Sequence, residues 1–123
     1  TSDAARALQT SSLVFEPLNV VIKRNPSFYL CNYEEILKTV KDLANDIRHV
    51  VIVGHEPSMS ETMSELVGAT RPDLNNFLNI PYMPCTMSFI HFNKEYWKEL
   101  EQGGGLLEAY ISPKIINENE EKN

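Results

Sequence analysis

Val50-Val51-Ile52-Val53-Gly54-His55-Glu56-Pro57 is the stretch on which the reading of this chain turns. Four β-branched apolar residues run into a glycine and then a histidine. Such a run predicts a strand over residues 49–53, buried on both faces as in a parallel sheet. Gly54 permits a sharp turn at the strand's carboxyl end. His55 then lies where open α/β sheets gather their ligand sites. Imidazole titrates in the physiological range, so a chemical role fits this position. A histidine merely hydrogen-bonded in a tight turn fits it too.

Working outward, helices and strands alternate. On the carboxyl side, Ser58 and Glu61 have the spacing of a capping box. Met59, Met63, Leu66 and Val67 supply the buried face of the helix they open, and Gly68 is its expected stop. On the amino side, Asn32 and Glu35 repeat the capping pattern. Ile36, Leu37, Val40, Leu43, Ala44 and Ile47 then form one apolar stripe, which predicts a helix reaching residue 47. Residues 3–15 read as a helix with Ser2 as N-cap and Asp3 in its first turn, favourable against the helix dipole. Residues 19–23 read as a short strand and 28–30 as extended.

Beyond Gly68, Pro72, Pro81 and Pro84 mark residues 71–85 as a loop. Residues 86–92 read as a strand and 96–100 as a helical turn. Gly103-Gly104-Gly105 turns the chain into a strand over 106–111. Residues 115–123 read as a disordered acidic tail. The alternation predicts an α/β domain over residues 1–114, with a parallel or mixed sheet covered by helices on both faces.

The 123 residues suffice for one core, and a hydrophobic content of 42% is ordinary for a globular domain. A net charge of −6 argues against a nucleic-acid or anionic-membrane binder, which needs a basic surface. It leaves room for an anion pocket built from one or two arginines. Cys31 and Cys85 lack CxxC or metal-ligand spacing and fit a reducing, cytoplasmic setting. No apolar run approaches the roughly 20 residues of a membrane helix.

Arg6 falls in the first turns of a helix, where free N–H groups and the dipole favour an anion and a guanidinium adds a two-pronged donor. Spacing alone favours a solvated surface arginine. His49 starts its strand at the wrong end of the sheet, and His91 alternates with Met87 and Phe89 as a packing or surface residue. His55-Glu56 is no metalloprotease signature, because position 59 is Met. No lysine completes a P-loop after Gly54, and Ser58 stands in no Gly-x-Ser-x-Gly elbow.

Ser2-x-x-x-Arg6-Ala7-x-Gln9-Thr10, then Phe28-Tyr29-Leu30, then Val51-Ile52-Val53-Gly54-His55-Glu56-Pro57 resembles the histidine phosphatase superfamily. Within it, the chain is most similar to the small SixA-type phosphohistidine phosphatases. Trp97-x-x-Leu100, the glycines after it and Ser112-Pro113-Lys114 extend the resemblance over nearly all of residues 1–114. The two motifs, in this order and separation, carry it; either alone is weak.

The resemblance implies a three-layer α/β/α sandwich with a mainly parallel, phosphoglycerate mutase-like sheet. It implies phosphoryl transfer through a phosphohistidine, without cofactor or metal. One family histidine attacks phosphorus, while a second histidine and two arginines hold the phosphoryl group. His55 matches the second histidine and Arg6 the second arginine. The nucleophile belongs to an Arg-His-Gly motif on a central strand preceding the Arg6 helix. That strand, with its histidine and first arginine, is expected upstream of Thr1, and the chain alone is expected to be inactive. None of His49, His55 and His91 replaces the nucleophile by position, and no general acid is assigned.

The implied substrate is a phosphohistidine on a signalling protein or a small phosphoester, reached through an open site beneath the short 68–86 region. No nucleic-acid or membrane partner is expected. The alternative is a catalytically inactive phosphate- or phosphoprotein-binding domain.

Overall fold

The computed structural model describes residues 1–122. Its elements are α1 (Ala5–Phe15), α2 (Tyr33–Lys41), α3 (Ser58–Leu66), β1 (Val67–Thr70), β2 (Met87–Phe92), β3 (Gly105–Ile111) and α4 (Pro113–Lys122), with short 3-10 turns between them. The sheet is small and mixed, in the order β1-β3-β2. β1 runs parallel to β3, and β2 runs antiparallel to it. The chain is thus α/β as expected, with one parallel and one antiparallel pair in place of a mainly parallel sheet.

The 49–53 segment departs most from expectation. It joins no ladder among the described residues. Val50 and Val51 are 36% and 48% exposed, so the run is not buried on both faces. β-branched residues favour extended backbone, but a strand exists only where a neighbour pairs with it. Here the pairing is limited to Ser2 N donating to Val53 O at 3.0 Å. Residues 19–23 likewise form no strand. Their end is held by the Thr1 amino group donating to Lys23 O at 2.8 Å. Of residues 28–30 only Tyr29 is extended: Pro26–Phe28 is a 3-10 turn and Leu30 has φ 51°.

Three helix boundaries also shift. α2 begins where Asn32 Oδ1 accepts Glu35 N at 3.3 Å, as predicted, but ends at Lys41. Leu43 and Ile47 then close i to i+3 turns onto Val40 O and Ala44 O. Gly68 does not stop α3; the helix ends at Leu66 and the glycine lies within β1. Residues 115–122 belong to α4, begun by Pro113 and by Ser112 Oγ accepting Ile115 N at 3.4 Å, and Asn123 lies outside the described residues.

Two apolar clusters form the core. Phe28, Ile36, Val40 and Leu100 make one, with Ile52 and Met59 against it. Met63, Leu74, Leu107 and Tyr110 make the other, with Ile90 and Ile115 against it. α3 joins them, because Met59 and Met63 lie one turn apart on its inner face. The start of α3 is thereby fixed, and His55 immediately precedes it.

Candidate functional site

His55 is half-buried, between the valine run and the first turn of α3. Its carbonyl accepts Ser58 Oγ at 2.8 Å and Met59 N at 3.2 Å, which ties the backbone to the helix. Its ring is held separately. Nε2 lies 2.8 Å from Ser2 Oγ. Ser2 is fully buried, and its hydroxyl oxygen also accepts Ala4 N at 3.3 Å. Ser2 N bonds to Val53 O, so backbone and side chain together pin residues 1–4 against the His55 turn. Tyr29 meets the imidazole edge-on, with ring centroids 5.8 Å apart and planes at 86°. The Tyr29 ring is more than half exposed, so it forms an open wall beside the histidine.

Ser2 is therefore no N-cap by side chain. α1 starts at Ala5, its N-cap residue is Ala4, and no side chain caps it. Arg6 lies in the first turn of α1, exposed, four residues after the serine that holds His55. Among the described residues its guanidinium forms no ion pair, nor any hydrogen bond to His55. The structure thus links the start of the Arg6 helix to His55 through Ser2. His49 and His91 are exposed, the latter on β2 paired with Leu106.

Glu56 is occupied elsewhere. Its carboxylate accepts Ser60 N at 2.8 Å, Ser60 Oγ at 2.6 Å and Tyr82 N at 3.1 Å. It caps α3 and clips residue 82 of the proline-rich region to that helix. The capping box expected from Ser58 and Glu61 is thus replaced by Glu56 with Ser60.

An open groove of about 620 Å³ is lined by residues including Tyr33, Ser60, Glu61 and Glu65. Glu65 foremost, then partial burial and Glu34, pushes the Tyr33 phenol upward. A groove whose charges raise a phenol repels an anion. Among the described residues no three His, Cys, Asp or Glu side chains gather as a metal site. No helix of the described residues is long and apolar enough to cross a membrane.

Sequence reasoning missed Ser2 and Tyr29 as neighbours of His55. Tyr29 stood inside a quoted motif, but nothing local marks which ring it meets. Ser2 carried a competing and plausible capping role.

No family model and no curated protein matches the chain. A solved structure from Nakamurella multipartitia, bearing the provisional name phosphohistidine phosphatase SixA, is similar to it with a TM-score of 0.68 and 27% sequence identity. The likeness covers 91% of this chain and 67% of that one.

Proposed function

We propose that this chain, whose fold is SixA-like, serves removal of a phosphoryl group from a phosphohistidine or small phosphoester through a phosphohistidine intermediate, with Arg6 and His55 holding the phosphoryl group. One observation carries the reading. His55 is anchored through Nε2 by a buried hydroxyl, while Nδ1 has no hydrogen bond among the described residues. A ring held on one side and open on the other is a preset donor. Charge in a phosphoryl-transfer transition state spreads over the equatorial oxygens, and donors fixed beforehand stabilise it without reorganisation. Arg6 adds a fork suited to two of those oxygens, at a helix start that itself favours anions.

In this reading residues 1–114 act as one phosphoryl-binding unit of a three-layer α/β/α protein of the cytoplasm. Attack on phosphorus falls to a group other than His49, His55 and His91. The exposed Tyr29 ring leaves the site open enough for a phosphorylated side chain of another protein.

The test is vanadate or inorganic phosphate binding by the chain, followed by turnover in the full-length polypeptide. Arg6→Ala is expected to weaken anion binding ~10-fold or more, the worth of a charge-assisted pair. Arg6→Ala and His55→Ala are each expected to lower turnover ~100-fold or more, because each acts on the transition state. Unchanged binding and turnover in both variants would overturn the proposal. Anion binding with no hydrolysis by the full-length protein would select the inactive binding module instead.

A further inference from the structure

We infer that Ser2 is a positioning residue that sets the tautomer of His55, holding the neutral ring with its proton on Nδ1. The argument is a count of protons and lone pairs. A serine hydroxyl has one proton to donate and two lone pairs to offer. Ala4 N–H takes one lone pair of Ser2 Oγ at 3.3 Å. The hydroxyl proton still needs an acceptor, and Ser2 is fully buried. A buried O–H without an acceptor costs its full desolvation penalty. Among the described residues His55 Nε2, at 2.8 Å, is the one acceptor the hydroxyl reaches. Ser2 therefore donates, Nε2 accepts, and the neutral ring carries its hydrogen on Nδ1.

The serine is itself locked. Its N–H donates to Val53 O at 3.0 Å, two residues before the histidine, which holds the two backbones side by side. With Nε2 engaged, Nδ1–H is the ring's remaining donor. The consequence for function rests on the phosphoryl-binding reading above: a neutral His55 can still donate to a phosphoryl oxygen, without first gaining a proton. The opposite tautomer would present a lone pair to the anion and repel it.

The tautomer is measured by long-range ¹H–¹⁵N NMR on the full chain at about pH 8, above the ordinary imidazole range, with His55 signals assigned by His55→Gln. The expected result is a protonated Nδ1 and an unprotonated Nε2. Ser2→Ala is expected to relax the ring toward the mixture of an unconstrained imidazole, while Ser2→Thr, which keeps the hydroxyl, retains the native pattern. A protonated Nε2 in the unaltered chain, or a pattern that Ser2→Ala leaves unchanged, would overturn the inference. Should Ser2→Ala fail to fold, the native and Ser2→Thr spectra decide it. Titration with inorganic phosphate separates the two claims. A perturbed Nδ1 supports both, whereas an inert Nδ1 on a ring of the stated tautomer removes the phosphoryl reading and leaves the role of Ser2 standing.

Discussion

The Glu56 carboxylate spends its lone pairs on Ser60 N, Ser60 Oγ and Tyr82 N, while its neighbour His55 turns its ring toward Ser2. Adjacent residues of one motif thus take different partners: the histidine pairs with Ser2, and the glutamate caps a helix and holds a loop. A helix cap contributes about 0.5–2 kcal/mol, and Glu56→Gln, which keeps a single acceptor oxygen, is expected to lose most of it. A urea unfolding midpoint unchanged in that variant would show that the contacts carry no stability. His55 was legible as a candidate, because a histidine after a valine run and a glycine falls where open α/β sheets gather ligand sites. Arg6 was legible as a candidate only as half of a motif pair. Ser2 was misread, because a serine beside a helix start has an obvious local partner, and nothing in sequence tells that a histidine 53 residues away outcompetes it.

At the scale of elements, β1 shows where periodicity fails. Val67-Gly68-Ala69-Thr70 carries little apolar signal, yet it forms the parallel partner of β3. Gly68 permits this: a Cβ there would lie 1.8 Å from Gly103 O and 2.7 Å from Gly103 C, both backbone atoms that cannot swing aside. Gly68→Ala must push β1 off its neighbour. Overpacking of this kind costs about 1–3 kcal/mol, occasionally more. Gly104→Ala, whose Cβ would meet Glu101 O at 3.3 Å, is expected to cost less. Equal unfolding midpoints for the two variants would contradict this account of the pairing. β2 and β3 were legible, because their apolar runs are bounded by prolines and glycines. The 49–53 run carried the strongest strand signal and forms none here, since a ladder needs a partner that composition cannot supply.

Across the whole molecule, stability rests on two clusters joined through α3. Leu107 is completely buried in the second of them. Leu107→Ala is expected to cost about 2–5 kcal/mol in chemical denaturation, the range for a buried leucine that leaves a cavity. A loss well below that would mean the sheet collapses onto the gap. The same cluster confers a pH dependence. Burial, opposed by a hydrogen bond to Ser88, pushes the Tyr82 phenol up to about 12 from its ordinary 10.0. The folded state therefore favours the neutral phenol more than the unfolded state does. That contribution is fully present below about pH 10 and is lost as pH rises through about 12. Alkaline titration of unfolding stability is expected to fall across this window, with a shallower fall in Tyr82→Phe. Identical slopes in the two proteins would assign the loss to other groups.

The sequence by itself determined the α/β class, the start of α2, and the strands at 87–92 and 105–111. Each is signalled by residues close in the chain, where periodicity, capping and turn chemistry act. Only the tertiary structure decided that Ser2 grips His55, that Glu56 caps α3, that Gly68 lies in a strand, and that the valine run stays without a ladder. Those outcomes depend on which distant groups meet. A buried hydroxyl, a carboxylate or a strand edge takes whichever partner the fold delivers, and its identity is written nowhere near it in the chain.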